Sequence, residues 1–105
     1  MRTYNIIVTP EAEDDLRKYL KYLRDVKKNP QAVLSVMNDF VETKDLLSRV
    51  AGSIKEPENE RLRYLGLKRI NFIHHNYFLL YCIDGDNAFI TNVFYGLEDF
   101  ESKLR

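Results

Sequence analysis

The sequence contains very little cysteine and glycine, no excess of either charge, and no long apolar run. Cys82 is the only cysteine in 105 residues, which excludes an internal disulfide and favours a reducing, intracellular setting. One cysteine and two adjacent histidines are also too few ligands for a zinc site. The four glycines are scattered along the chain, so no glycine-rich loop can hold a phosphate. We therefore expect neither a metal nor a cofactor.

The charges balance, and the apolar segments are short. Sixteen Lys and Arg residues stand against sixteen Asp and Glu residues, so the protein has no strong positive field to attract RNA or DNA. The apolar stretch within residues 4–8 ends before Pro10 and is far shorter than a signal-peptide core or a membrane span. These features predict a cytoplasmic protein that does not associate with a membrane.

The first half of the chain carries the signals of one strand and two helices. Imperfect alternation of apolar residues over residues 3–8 predicts a short strand. A Thr-Pro pair at 9–10 supplies an N-cap and a first helical residue, and the apolar spacing that follows predicts a helix ending near Lys28. An Asn-Pro pair at 29–30 repeats this device and starts a second helix that runs to Val50.

The second half of the chain changes to a composition typical of strands. A polar, proline-bearing loop is predicted over residues 55–60. Three segments rich in Ile, Phe, Tyr and Val follow, and they predict strands over residues 67–73, 77–83 and 88–95. A short helix is predicted over residues 97–104.

Together these elements predict a single α+β domain that spans residues 1–105. An N-terminal strand comes first, and the short link between the two helices makes them a helical hairpin. The hairpin packs on one face of a mainly antiparallel four-stranded sheet, and a short C-terminal helix closes the chain.

Several segments resemble the RelE/ParE toxins of bacterial type II toxin-antitoxin modules. The chain opens with YNIIVTPEAEDDL at residues 4–16, continues with LKRI at 67–70 and NYFLLY at 76–81, and closes with VFYGLED at 93–99. Their order and spacing are similar to those of the family over nearly the whole chain. The resemblance implies a single toxin domain that a cognate antitoxin protein holds inactive.

The resemblance also implies one of two cellular targets. RelE-like members cleave mRNA in the ribosome with a basic, tyrosine-bearing sheet face, whereas ParE-like members lack that set and poison DNA gyrase. Phe78 stands where RelE-like members carry an arginine, and Leu97 and Glu98 stand where an arginine often closes the family motif. These differences favour a ParE-like toxin. A ribosome-dependent mRNA interferase and an inactive relic that retains only antitoxin binding are the alternatives.

A metal-independent endoribonuclease would need a base, an acid and a cation around one phosphate. His75, Tyr95 and Arg69 have the required chemistry, since histidine titrates near neutral pH and tyrosine donates a hydrogen bond. Strand alternation places residue 75 on the same face as Arg69, so we favour His75 over His74. Alternatively, both histidines are solvated residues beside a hairpin turn.

Basic and aromatic residues in the second half predict a surface that binds the antitoxin or the target. Arg61, Arg63 and Lys68 form either a patch for phosphate or acidic partners or a solvated loop and strand edge. Phe78 is expected on the open face of the sheet, where it would form an exposed apolar patch that the antitoxin covers. Tyr81 is a further candidate contact on the same strand.

Overall fold

The structure, a computed structural model, describes residues 2–104 and confirms the predicted α+β fold. None of the helices in this range combines the length and the apolar content needed to cross a bilayer. The elements in chain order are β1 Asn5–Val8, α1 Pro10–Asp25, α2 Pro30–Val50, α3 Glu60–Tyr64, β2 Lys68–Asn71, β3 Tyr77–Asp84, β4 Asn87–Tyr95 and a 3-10 helix Phe100–Lys103.

The four strands form one mixed sheet in the order β1-β4-β3-β2. Strands β2, β3 and β4 are an antiparallel meander, and β1 pairs with β4 in parallel. The turn between β3 and β4 contains Gly85, whose φ of 61° lies in the left-handed region that a tight hairpin uses. The predicted sheet, mainly antiparallel with four strands, is therefore confirmed.

Both predicted helix starts are confirmed by their caps. The side chains of Thr9 and Asn29 accept hydrogen bonds from the backbone N–H groups of Ala12 and Ala32, at 3.2 Å and 3.0 Å. The first helix ends earlier than predicted, at Asp25, because the chain turns and Lys28 adopts a φ of 54° that no helix continues.

Two predictions about the second half need correction. The polar loop ends one residue early, because the side chain of Asn59 accepts from the N–H of Leu62 and caps an additional helix, α3. The helix predicted over residues 97–104 is only a single 3-10 turn, and its first residue lacks a side-chain cap. Strand β2 is also shorter than predicted and ends at Asn71.

The sheet separates two apolar clusters. On the hairpin face, which packs against α1 and α2, the buried residues are Ala12, Val36, Phe40, Leu47, Ala51, Ile70, Phe72, Leu79, Tyr81, Ala88, Ile90 and Val93. On the opposite face, α3 and the C-terminal segment, residues 100–104, cover a smaller cluster of Leu62, Leu67, Phe78, Leu80, Phe94 and Leu104. Both faces of the central strands are thus buried.

A β-bulge at Thr91 changes which residues of β4 point to each face. Tyr81 pairs with Ile90 and Leu80 pairs with Asn92, so Thr91 is the extra residue in β4. Its hydroxyl donates to the carbonyl oxygen of Leu80 at 3.3 Å. After the bulge, odd-numbered residues of β4 lie on the hairpin face, which places Tyr95 there.

Tyr81 belongs to the core and not to a binding surface. Its side chain is 0% exposed, and its hydroxyl donates to the carbonyl oxygen of Ala51 at 2.8 Å. Burial also raises the pKa of Tyr81. This burial disfavours a contact between Tyr81 and a partner, and the predicted contact stays a prediction.

Replacing Tyr81 with Phe should lower the free energy of unfolding by about 1–2 kcal/mol, because the buried carbonyl of Ala51 loses its donor. Urea denaturation followed by circular dichroism measures the change. Tyr64→Phe is the matched control, since Tyr64 is 83% exposed and its replacement should change stability by less than about 0.5 kcal/mol. If Tyr81→Phe were as stable as the wild type, the hydrogen bond from Tyr81 to Ala51 would not stabilise the core.

Candidate functional site

Arg69 lies on the opposite face of the sheet, as strand alternation predicts. Its guanidinium carbon is 3.7 Å from the ring centroid of Phe78, and its Nε donates to the side chain of Asn71 at 3.0 Å. Partial burial lowers the pKa of Arg69. The cation thus lies over an aromatic ring at the edge of a buried apolar cluster.

His75 does not lie with Arg69, and the prediction that the two share a face is wrong. Strand β2 ends at Asn71 and the chain bends over residues 73–76, so strand alternation does not extend to His75. The bend carries the imidazole to α2. There its Nδ1 lies 2.8 Å from the Asp39 carboxylate and its Nε2 lies 3.1 Å from the Ser35 hydroxyl.

Tyr95 lies apart from both Arg69 and His75, on the hairpin face near α1. Its ring centroid is 5.4 Å from that of Tyr77, in an edge-to-face arrangement. Its backbone N–H donates to the hydroxyl of Tyr19 at 3.2 Å and to the carboxylate of Glu98 at 3.1 Å. The structure therefore places Arg69, His75 and Tyr95 against three different sets of neighbours.

Asp39 organises the bend after β2, a role that the sequence did not reveal. Its buried carboxylate accepts the N–H groups of Ile73, His74 and His75 at 3.0, 3.0 and 2.7 Å, besides the His75 ring. Burial opposes ionisation of Asp39, but these hydrogen bonds outweigh it and hold its pKa below the usual value. One signal was present: Asp39 falls within the buried stripe of α2, between Val36 and Thr43.

The side chains of Ser35, His75 and Asp39 are connected in the order of a hydrolase triad, but the backbone N–H of Ser35 cannot bind an oxyanion. Ser35 lies in the second turn of α2, so its backbone N–H is used by the helix.

The neighbouring His74 side chain pairs with the Glu42 carboxylate at 2.9 Å. Asp39, Glu42 and His74 also fit a metal poorly, because both oxygens of Asp39 already accept backbone hydrogen bonds. We interpret the group as a tether between the bend and α2.

The predicted basic patch is tied to the surrounding backbone. Arg61 donates to the carbonyl of Leu104 at 3.2 Å, Arg63 to those of Pro57 and Glu58 at 2.8 and 2.6 Å, and Lys68 to that of Ile54 at 2.7 Å. Arg61 and Arg63 are exposed, whereas Lys68 is half-buried. These bonds fasten the loop before β2, and partner binding by the same cations stays a prediction.

Phe78 lies on the face that was predicted, but it is not exposed. The side chain is 1% exposed, and its ring centroid lies 5.7 Å from that of Phe94 and 5.4 Å from that of Phe100. The C-terminal segment and Leu62 of α3 complete the cover. The predicted exposed apolar patch at Phe78 is therefore wrong.

A cleft that the sequence did not predict lies between α1 and the end of β4. It has a volume of about 860 Å³, and we call it the α1–β4 cleft. The elements that form it are far apart in sequence, and the spacing of Lys18, Tyr19 and Tyr22 on α1 was its only local signal. Its lining includes the four tyrosines Tyr19, Tyr22, Tyr77 and Tyr95, the lysines Lys18, Lys27 and Lys103, and the acids Asp15 and Glu98.

The fold is similar to that of chains from two solved toxin-antitoxin systems. A chain of the chromosomal ParDE TA system from P. aeruginosa has a TM-score of 0.71 and 19% identity, with 89% of this chain and 96% of that chain covered. A chain of the toxin-antitoxin complex RelBE2 from Mycobacterium tuberculosis has a TM-score of 0.55 and 24% identity, with 89% and 98% covered. No protein-family model matches the sequence, and no curated protein matches it significantly. The chain therefore shares the fold of these two chains.

Proposed function

We propose that the protein is the toxin of a type II toxin-antitoxin module, that it inhibits DNA gyrase as ParE-like toxins do, and that a cognate antitoxin neutralises it. The shared fold with chains of the ParDE and RelBE2 systems supports a toxin. We choose gyrase over mRNA as the target because Arg69, His75 and Tyr95 are separated from one another. RNA cleavage without a metal needs a base, an acid and a cation around one phosphate, and these three side chains have different neighbours.

The face that would hold RNA is also poorly suited to a polyanion. Phe78, Phe94 and Phe100 form a closed aromatic group there, with Arg69 stacked on its edge. The formal net charge of zero gives no long-range attraction to ribosomal RNA.

The antitoxin needs a surface other than the predicted aromatic patch. Phe78 and Tyr81 are buried, so neither can be a contact unless the fold opens. Of the predicted binding residues, Arg61 and Arg63 are exposed. We assign them to acidic side chains of the antitoxin, since their guanidinium groups can keep bonds to backbone carbonyls and still pair with a carboxylate.

The alternative, an mRNA interferase, keeps one observation in its favour. Arg69, Asn71 and Lys55 line a cleft of about 450 Å³ on the opposite face. Two cations beside a cleft could bind a phosphate, although the His75 ring contacts α2 and Tyr95 lies on the hairpin face. An interferase would therefore depend on Arg69 and on a general base outside the predicted set.

A gyrase assay and RNA-end mapping separate these functions. The purified chain should inhibit DNA supercoiling by gyrase, and a strain that expresses it without antitoxin should stop growing with intact transcripts. Arg69→Ala should leave both effects unchanged, because Arg69 contacts Phe78 and Asn71 on a face that the gyrase proposal does not use. Codon-phased RNA breaks that disappear in Arg69→Ala would establish the interferase instead. Normal growth at high protein levels would show a relic that only binds antitoxin.

A further inference from the structure

The α1–β4 cleft lies beside the part of β4 that extends beyond its pairing with β1. Strand β1 ends at Val8, opposite Ile90, and the rest of β4 runs beside α1. The cleft's volume of about 860 Å³ lies in the range of small-molecule sites. Its lining is mainly tyrosine and lysine, the combination that binds a planar aromatic group attached to an anion.

Three tyrosine rings of the cleft contact one another, and two tyrosine rings of the cleft are partly exposed. Tyr77 makes edge-to-face contacts with Tyr19 and Tyr95, at centroid distances of 5.2 and 5.4 Å. Tyr22 and Tyr95 are 48% and 36% exposed, so their rings are accessible to a ligand. A nucleobase can stack on such rings, since every base has a π face.

The phenolic hydroxyls of the cleft can serve as hydrogen-bond donors. Those of Tyr22, Tyr77 and Tyr95 have no hydrogen-bond partner within residues 2–104, whereas that of Tyr19 bonds to Glu98. Burial and the neighbouring Tyr95 raise the pKa of Tyr77, so its hydroxyl keeps its proton at neutral pH. These groups suit the oxygen atoms of a sugar phosphate.

The acids of the cleft are occupied by the protein itself, whereas two lysines are not paired with acids. Asp15 accepts the N–H of Val93 at 3.0 Å. Glu98 binds the hydroxyl of Tyr19, the N–H of Tyr95 and the ammonium of Lys103. Neither Lys18 nor Lys27 forms an ion pair with any described residue; the Lys27 ammonium lies 5.8 Å from the ring centroid of Tyr22. The lining therefore has three lysines against two carboxylates, a formal charge of +1.

These contacts disfavour two other occupants. An added peptide strand would need the N–H groups of Val93 and Tyr95, which already donate to Asp15, Tyr19 and Glu98. A long nucleic acid would need many phosphate contacts, and the protein has no net positive charge. A small ligand with one anionic group avoids both requirements.

We propose that the α1–β4 cleft binds a free nucleotide, with the base against the exposed ring of Tyr22 and the phosphate beside Lys18, one turn away on α1. The hydroxyls of Tyr77 and Tyr95 bond to the sugar or the phosphate. The site is separate from the predicted residues Arg69 and His75, and binding to it does not depend on whether gyrase is the target.

Isothermal titration of the purified full chain with AMP, GMP, CMP and UMP tests the site. At least one should bind with a Kd below about 1 mM, and adenosine and inorganic phosphate should each bind more weakly, since each lacks half of the contacts. Lys18→Glu and Tyr22→Ala should each weaken binding by about tenfold or more, with unchanged circular dichroism.

Matched controls lie outside the cleft. Lys21→Glu makes the same charge change on an exposed residue of α1, and Tyr64→Ala removes an exposed tyrosine elsewhere; both should bind like the wild type. The proposal is overturned if no nucleotide binds, if single-stranded RNA binds while mononucleotides do not, or if Lys21→Glu weakens binding as much as Lys18→Glu. Inorganic phosphate that binds as tightly as AMP would also overturn it, because the rings would then contribute nothing.

Discussion

Replacing Phe78 with Ala should lower the free energy of unfolding by about 3–5 kcal/mol, because it leaves a cavity beneath the C-terminal segment. Phe78 is 1% exposed and contacts the rings of Phe94 and Phe100. Its loss also removes the surface on which the Arg69 guanidinium stacks. Urea denaturation of the isolated chain measures the effect, and Phe78→Asp should prevent folding because it buries a charge among apolar groups.

Two comparisons show whether Phe78 acts through packing or through binding. Phe78→Leu should cost less than Phe78→Ala, roughly 1–2 kcal/mol, since leucine refills part of the cavity. Tyr64→Ala, on the exposed side of α3, should change stability by less than about 0.5 kcal/mol. If the Phe78→Asp protein had wild-type stability and bound the antitoxin more weakly, the result would support the exposed patch that was predicted from the sequence.

The helix starts and the four strands could be predicted because they depend on local residues. Thr9 and Asn29 cap their helices through bonds that span three residues, and the turn at Gly85 needs only a short segment. The short α3 was missed because its single turn has no long apolar period, although Asn59 is a cap of the same kind. Local chemistry thus predicted the four strands and the two long helices, but only some of their bounds.

The candidate site was harder to predict because two irregularities change the direction of side chains. The bend over residues 73–76 takes His75 out of strand alternation, and the bulge at Thr91 shifts the alternation of β4. The bend depends on Asp39, which is 36 residues away from His75. The cover over Phe78 likewise comes from Leu62 and the C-terminal residues. Such long-range contacts leave no periodic signal in the sequence.

Replacing Asp39 with Ala should lower the free energy of unfolding by about 3 kcal/mol or more. The substitution leaves three backbone N–H groups, those of Ile73, His74 and His75, without their acceptor, and each lost bond to a buried charged group costs about 1–3 kcal/mol. Partial access of water to the bend limits the total. Asp45→Ala on the same helix is the control, since Asp45 is exposed and its pair with Arg49 should contribute less than about 1 kcal/mol.

The contribution of Asp39 should also depend on pH in a direction that its hydrogen bonds determine. Burial opposes its ionisation, yet the donors from His75, His74 and Ile73 hold the pKa of Asp39 below the value of about 3.9 that an aspartate has in an unfolded chain. Folding therefore favours the ionised form, so the stabilisation is complete above about pH 4 and is lost as the pH falls through the lowered pKa. Unfolding measured from neutral to acidic pH should show the wild type and Asp39→Asn converging in stability in acid. If the difference in stability between the two proteins stayed constant over this range, the charge of Asp39 would not stabilise the bend. The size and shape of its side chain would then be responsible.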